Sequence, residues 1–238
     1  MRKKTSQSND LSPREAIATA AVRLFGSRGY NGTTMRDLAQ EVGLLAGSLY
    51  AHIDSKETLL AEIVQSGFEV FLTMARRLEA SSDRPEVKLR AAIVAHLALV
   101  AENPERTLMI LHQWRFLSDP NRKKAIAMRR SYAQTFMKIV DDGKTSGAFS
   151  PKLNTRIAVF ALLGALNWTP EWYSPEGPAS AREIGGWLAD ALIGGLRTGP
   201  RRASEVQRST EPAKRAVAKP ASTKPAPTKL RAAKRKLA

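Results

Sequence analysis

Helical periodicity runs through most of this chain, from about residue 12 to residue 198. Apolar residues recur at i, i+3, i+4 and i+7, and no stretch alternates between apolar and polar as a half-buried strand does. Proline and glycine residues divide the pattern into separate segments. The predicted helices cover residues 13–28, 34–41, 45–52, 56–80, 86–102, 105–117, 120–146, 152–168 and 180–197. We therefore predict an all-α fold of about nine helices.

Charge is distributed unevenly along the 238 residues, which are enough for one or two domains. The formal net charge is +16, and residues 199–238 hold 12 Lys and Arg against 2 Asp and Glu. This segment is rich in Ala, Lys, Pro, Ser and Thr and has too few large apolar residues to form a core, so we expect a disordered basic tail. Residues 1–10 are polar and are expected to form a disordered arm.

Several classes of protein are excluded by composition. Without cysteine, the chain has no disulfide, thiolate metal site or cysteine nucleophile. The longest apolar run, residues 157–166, is shorter than the ~20 residues that span a membrane. Polar residues follow the basic residues 2–4, where a signal peptide would be apolar. We expect a cytoplasmic protein with no membrane contact.

An enzyme is also disfavoured by the motifs. The sequence has no phosphate-binding loop, no Gly-x-Ser-x-Gly and no glycine-rich dinucleotide turn. Asp141 and Asp142 are adjacent on a predicted helix, so their carboxylates point apart. His96 and His112 have no second ligand at helical spacing, and we expect them to form hydrogen bonds in a core or pocket. We predict no catalytic activity, no metal and no cofactor.

Residues 11–55 contain the elements of a helix-turn-helix DNA-binding domain. Two short predicted helices are joined by a turn at Gly43 and preceded by a longer helix. An ordinary helical hairpin has the same elements, but hydroxyl, imidazole and cationic side chains cluster at these helix ends, where they suit phosphate oxygens. These candidate DNA-binding residues are Thr33, Thr34, Arg36, Tyr50, His52 and Lys56.

The run from Gly32 to Ala39, the turn glycine Gly43 and the run from Gly47 to Leu60 resemble the TetR family of repressors. The resemblance implies that residues 44–50 form the recognition helix. Residues near base edges are then Leu45, Ala46, Gly47 and Ser48. It also implies that Thr34, Tyr50, His52 and Lys56 hold phosphates and that Arg36 reaches a base or a phosphate. Leu45 and Ala46 replace a polar and basic pair common in the family, so thymine-methyl contacts or Arg36 are expected to carry more of the sequence preference.

Residues 56–198 are predicted to form a helical domain for ligand binding and dimerisation. Two segments, 152–168 and 180–197, each carry a continuous apolar stripe. The first is apolar on its other faces too, so it needs cover on two sides. A homodimer provides that cover, as in TetR-type proteins, whose last two long helices pair. A dimer also places two recognition helices about one DNA turn apart, which fits a palindromic operator.

The segment from Gly164 to Pro178 resembles that of TetR-type regulators of fatty-acid, phenylacetate or steroid-ring degradation, many of which respond to acyl-CoA thioesters. Tryptophans at a helix end also commonly pin a loop, so both interpretations stay open. An acyl-CoA needs an apolar slot and cations for its phosphates. The candidate ligand-binding residues are His112, Arg115, Tyr132 and Trp168. Further candidates for the apolar slot are Ile93, Leu97, Leu108, Leu111, Phe116 and Phe136. Candidate cations at the mouth of the slot are Arg122, Lys123, Lys124, Arg129 and Arg130. Basic runs of this kind are also commonly the solvated surface of a helix.

Together these patterns predict a transcriptional regulator that binds double-stranded DNA and a small molecule. We expect a repressor that an acyl-CoA releases from its operator. In the mechanism that we expect, a ligand between the middle helices moves the long helix 56–80 and changes the spacing of the recognition helices. The alternative is an architectural DNA-binding protein, because the tail resembles the lysine-rich tails of histone-like proteins. A solubilising role for the tail also stays open.

Overall fold

The computed structural model describes residues 12–199, and all its regular elements there are helical. The predicted arm and all of the predicted tail after residue 199 lie outside these residues. Within the described range there are ten α-helices, and a single 3-10 turn, Trp114–Phe116, lies between α6 and α7. The helices are α1 Pro13–Arg28, α2 Met35–Glu41, α3 Ala46–Leu49, α4 Lys56–Glu79, α5 Pro85–Glu102, α6 Pro104–Gln113, α7 Asp119–Thr145, α8 Thr155–Asn167, α9 Thr169–Trp172 and α10 Ala181–Thr198. The all-α prediction is confirmed.

Side-chain caps mark the start of α1 and of α10. Ser12 and Glu15 form a capping box at α1, with Pro13 in the first turn, and Ser180 and Glu183 do the same at α10. Gly29 follows α1 with φ +74°, in the left-handed region that glycine enters without a Cβ clash. The chain can therefore turn sharply from α1 into the next element.

Several predicted boundaries differ from the structure, and the helix predicted from residue 152 begins at Thr155. The third helix ends at Leu49 rather than at residue 52, because the chain continues in tighter turns there. The segment 105–117 divides into α6 and the 3-10 turn. The loop after residue 168 contains the short helix α9, which begins with Pro170 in its first turn, a position that proline tolerates well.

Two clusters of buried apolar side chains hold the helices together. The first joins α1, α2, α3 and the start of α4 to α6 and the first turns of α7. The second joins the end of α4 to α5, α7, α8 and α10. The helix α4 contributes to both clusters, so the two clusters do not divide at the predicted domain boundary between residues 55 and 56. This boundary stays a prediction.

By length and composition alone, α4 is long and apolar enough to cross a membrane. Its apolar side packs into both clusters, and Leu60, Val64 and Leu72 are buried there. A central helix of a globular domain has this pattern, so the composition of α4 is weak evidence for a membrane span.

Candidate DNA-binding surface and ligand cavity

The helix-turn-helix is fixed by buried residues at its centre and by a cap at its start. Leu38 of α2 and Leu49 of α3 are fully buried against Phe25 of α1. Thr34 caps α2 by accepting a hydrogen bond from the Asp37 backbone, and Asp37 accepts two hydrogen bonds from Thr34 in return. These hydrogen bonds lower the pKa of Asp37. The surface of α3 and the adjoining turn is thereby held in one orientation.

Most of the predicted DNA-binding residues lie together on the outside of this unit. Leu45 is 80% exposed and Tyr50 is 56% exposed, although large apolar side chains are usually covered. Arg36 is exposed and forms no ion pair within residues 12–199. The exposed members of the predicted set are Thr34, Arg36, Leu45, Ala46, Gly47, Ser48 and Tyr50, with His52 half-buried.

The structure corrects the role predicted for Thr33. Its side chain is completely buried, and its hydroxyl donates to the backbone oxygens of Leu24 and Gly29 at 3.2 and 3.0 Å. A hydroxyl that is used in this way cannot reach a phosphate. Thr33 instead fastens the turn between α1 and α2 to α1.

Lys56 also has a structural role that its position in the sequence does not reveal. Its Nζ donates to the backbone oxygens of Tyr30 and Thr33 at 2.9 and 2.7 Å, and it lies 4.3 Å from the centroid of the Tyr30 ring. Two of the three ammonium protons are therefore used within the protein. Lys56 joins the first residue of α4 to the turn before α2.

A cavity of about 460 Å³ lies among the helices α4 to α8. Its volume is within the usual range for small-molecule sites. Most of its wall is aliphatic or aromatic. The lining residues are Phe68, Phe71, His96, Thr107, Ile110, Leu111, Trp114, Ile126, Arg129, Arg130, Tyr132, Ala133, Phe160, Leu163, Gly164 and Asn167.

Of the four predicted ligand-binding residues, Tyr132 lines this cavity and the other three lie outside it. His112 is exposed, with Nε2 at 3.2 Å from a carboxylate oxygen of Glu171. Arg115 is exposed and lies over the Trp114 ring at 5.4 Å, and Trp168 is 61% exposed at the end of α8. The prediction missed Trp114 and Asn167, because helical spacing cannot distinguish cavity-lining residues from core residues.

His96 and Tyr132 form a buried polar pair in the cavity wall. His96 Nδ1 and the Tyr132 hydroxyl are 2.8 Å apart. Burial lowers the pKa of His96 to about 4, opposed by the backbone oxygen of Leu166, and burial raises the pKa of Tyr132. Both side chains are therefore neutral near pH 7. His96 is a hydrogen-bonding residue, as the sequence predicts.

Cations surround Trp114 at one side of the cavity. The guanidinium of Arg129 lies 4.9 Å from the Trp114 ring, and that of Arg115 lies near the same ring. Burial, followed by the positive charge of Arg115, lowers the pKa of Arg129. In the described part of the chain no carboxylate pairs with Arg115, Arg129 or Arg130. An anion can therefore bind here without displacing an ion pair.

The same cavity wall is joined to the DNA-binding unit. Gln113 and Phe116, which flank Trp114 and Arg115 in the sequence, contact Tyr30. The backbone N–H of Tyr30 donates a hydrogen bond to Gln113 at 3.3 Å, and the rings of Tyr30 and Phe116 stack with their centroids 5.7 Å apart. Glu57, in the first turn of α4, accepts hydrogen bonds from Ser118 and Asn121 at the start of α7. The cavity wall is therefore in direct contact with the turn before α2 and with the first turn of α4.

One face of α8 and α10 is apolar and exposed. On α8 it includes Ile157 and Phe160, and on α10 it includes Trp187, which is 62% exposed. Small residues lie between them, and a methyl group at Gly164 or Gly195 would meet open space. Exposed large apolar side chains of this kind are typical of a protein–protein interface.

These features are those of a helix-turn-helix regulator with a separate cavity of the size usual for small-molecule sites. Residues 17–63 match the family of bacterial regulatory proteins called the tetR family, and residues 82–196 match the tetracyclin repressor-like C-terminal domain. The chain belongs to the TetR family of transcriptional regulators, which is a class of DNA-binding proteins and not of enzymes.

Similar proteins support this assignment over most of the chain. The transcriptional repressor KstR2 of Mycolicibacterium smegmatis is 26% identical over 191 residues, which are 79% of this chain and 93% of KstR2. The structure of the TetR family regulator PfmR from Thermus thermophilus gives a TM-score of 0.70 at 32% identity, over 76% of this chain and 98% of PfmR. AibR in complex with isovaleryl coenzyme A and operator DNA gives a TM-score of 0.68 at 26% identity, over 78% of this chain and 98% of AibR.

Proposed function

We propose that this regulator is a repressor of a catabolic operon and that an acyl-CoA thioester releases it from a palindromic operator. The cavity of about 460 Å³ carries this proposal, because its wall contacts the DNA-binding unit through the turn after α6. The related AibR structure, which contains isovaleryl coenzyme A, supports an acyl-CoA as effector. A DNA-bound repressor acts at the chromosome, so we expect it in the cytoplasm at the nucleoid.

For operator binding we propose that residues 11–55 act as the DNA-binding domain. Tyr50 and His52 lie at helix ends, where hydroxyl and imidazole groups suit phosphates. Thr34 is exposed at the start of α2, but its hydroxyl donates to Asp37, so a phosphate would have to replace that hydrogen bond. Leu45 offers an apolar side chain to thymine methyl groups, and Arg36 offers a guanidinium to a base or phosphate. Lys56 keeps one ammonium proton for a phosphate. Thr33 is withdrawn from this set because its side chain is buried.

The dimer is proposed to form through the exposed face of α8 and α10, within residues 56–198. Phe160 and Gly164 belong to this face and also line the cavity. The cavity therefore opens toward the proposed interface, and a second copy would help to close it. Dimer formation and effector binding are expected to depend on each other.

The acyl group is proposed to enter the cavity while the phosphates of CoA stay at its rim. The wall around Phe68, Ile110 and Leu163 is apolar and suits an acyl chain. Arg129 and Arg130 line the rim and have no carboxylate partner among the described residues, so they can pair with phosphates. His112, Arg115 and Trp168 lie outside the cavity, and of these we retain Arg115 as a further cation for the phosphates.

Release of DNA is proposed to follow from movement of the cavity wall. A ligand that displaces Trp114 also shifts Gln113 and Phe116, which hold Tyr30, and the start of α7, which holds Glu57 of α4. The helix-turn-helix then rotates away from operator spacing. The ligand must bind this released state more tightly than the DNA-bound state.

A cavity-filling variant tests this function. The operator is first isolated by in vitro selection from random DNA, and its affinity is measured by fluorescence anisotropy with and without a panel of acyl-CoAs. Ala133 lines the cavity, so Ala133→Phe is expected to bind operator but to resist release. Ala127 is exposed on the same helix, and Ala127→Phe is the matched control. Operator affinity that no acyl-CoA changes contradicts the proposal.

An architectural role is the second candidate, supported by the 12 cations of residues 199–238. Such a protein binds DNA of any sequence through counterion release. Nuclease footprinting distinguishes the two functions, because a regulator protects a defined site and an architectural protein leaves no footprint.

A further inference from the structure

A polar pair interrupts the apolar wall of the cavity. His96 of α5 and Tyr132 of α7 are joined by their 2.8 Å hydrogen bond and surrounded by aromatic rings. The centroid of the Phe71 ring lies 4.9 Å from that of His96, and the Phe136 ring lies edge-on to Tyr132 at 5.0 Å. Burying polar atoms costs free energy. Leu or Phe would fill the same space without this cost. The pair therefore requires an explanation other than packing.

The pair has hydrogen-bonding capacity that the protein does not use. A neutral imidazole has one donor and one acceptor nitrogen, and a phenol both donates and accepts. The bond between Nδ1 and the hydroxyl uses one proton, so a second proton stays available on Nε2 or on the Tyr132 oxygen. His96 is 2% exposed, and its Nε2 has no hydrogen-bond partner of normal geometry within residues 12–199, although the backbone oxygen of Leu166 is near enough to raise the pKa of the ring. Trp114, which lines the same cavity, likewise has a buried Nε1 without a partner in that range.

We propose that the His96–Tyr132 pair recognises an oxygen atom on the acyl group of the effector, so that the effector is a hydroxyacyl or ketoacyl compound. This inference rests on the proposed function of the cavity as an acyl-CoA site. A hydroxyl or keto oxygen can bond to the unused groups of the pair. A saturated chain cannot, and it leaves them desolvated and without a partner. Sites with such groups reject ligands that lack the matching polar atom.

The test compares ligands of equal chain length on the full-length protein. Isothermal titration calorimetry measures binding of octanoyl-CoA, 3-hydroxyoctanoyl-CoA, 3-oxooctanoyl-CoA and 8-hydroxyoctanoyl-CoA, and of the four free acids. At least one oxygenated thioester is expected to bind about tenfold or more tightly than octanoyl-CoA. Tyr132→Phe is expected to remove this preference, so that the ratio of the affinities for the oxygenated thioester and for octanoyl-CoA falls to about one. Tyr173 does not line the cavity, so Tyr173→Phe is the matched control.

Each outcome decides a different claim. The inference is overturned when octanoyl-CoA binds as tightly as every oxygenated thioester, or when Tyr132→Phe keeps the preference. When only the free acids bind, with the same preference for oxygen, the acyl-CoA assignment is wrong and the inference holds. When no probe binds, both are wrong. His96→Gln, expected to lose the same preference, replaces Tyr132→Phe when circular dichroism shows that the latter does not fold.

Discussion

Trp187→Ala is expected to weaken the proposed dimer strongly. Trp187 lies on the apolar face of α10 and is 62% exposed in the single chain. A tryptophan presents about 200 Å² to its surroundings, so about 120 Å² is left for a partner to cover. At about 25 cal/mol per Å², covering it stabilises the dimer by about 3 kcal/mol. A twofold axis uses the residue twice, which gives an upper value of about 6 kcal/mol.

The measured effect is expected to be about half of this value, because alanine keeps part of the contact and the partner relaxes. A loss of about 3 kcal/mol raises the dimer dissociation constant about 100-fold. Sedimentation equilibrium measures this constant directly. Val70→Ala is the control, since Val70 is 50% exposed on α4, outside the proposed face. A dissociation constant that Trp187→Ala leaves unchanged, or that Val70→Ala raises equally, refutes the reasoning.

Three further predictions concern DNA binding and pH. Truncation after Gly199 removes the 12 cations of the tail. When half of them contact phosphates, the slope of the logarithm of the DNA-binding constant against the logarithm of salt concentration becomes less steep by about 5. Equal slopes for the two proteins exclude a DNA role for the tail. Arg36→Ala removes an exposed cation that forms no ion pair in residues 12–199. The free energy of operator binding is expected to weaken by about 1–3 kcal/mol, while the melting temperature of the protein stays the same. Unchanged operator affinity shows that Arg36 does not contact DNA. The folded-state pKa of His96 is about 4, below the ordinary 6.5. The unfolded chain therefore binds a proton first as the pH falls from 6.5 toward 4, and wild type should lose about 2 kcal/mol of stability between pH 7.5 and pH 5 that His96→Gln does not lose. Urea unfolding at the two pH values measures this difference, and an equal loss in both proteins contradicts it.

Helix positions follow from local signals, and so the sequence predicts most of them. The capping residues Ser12 and Ser180 and the terminating glycine Gly29 act within one turn of themselves. The difference in burial between the adjacent Thr33 and Thr34 does not follow from such signals. Thr33 is buried by contacts with α1, and Thr34 caps α2 at the surface. Only the packing of α1 against α2 decides which of the two faces solvent.

The cavity is harder to predict because its wall comes from five helices, α4 to α8. His96 and Tyr132 are 36 residues apart, and their hydrogen bond exists only because α5 and α7 pack together. Trp114 has the periodic spacing of a core residue, although it lines the cavity. His112 and Trp168 look like ligand-binding residues in the sequence, but the structure directs them outward.

When the cavity and the operator-binding surface are coupled, each ligand changes the affinity for the other by the same factor. The measurement is the affinity of the regulator for its releasing acyl-CoA, by titration calorimetry, in the absence of DNA and with saturating operator. We predict that operator weakens acyl-CoA binding by the same factor by which acyl-CoA weakens operator binding. An acyl-CoA affinity that is identical with and without operator would contradict the account.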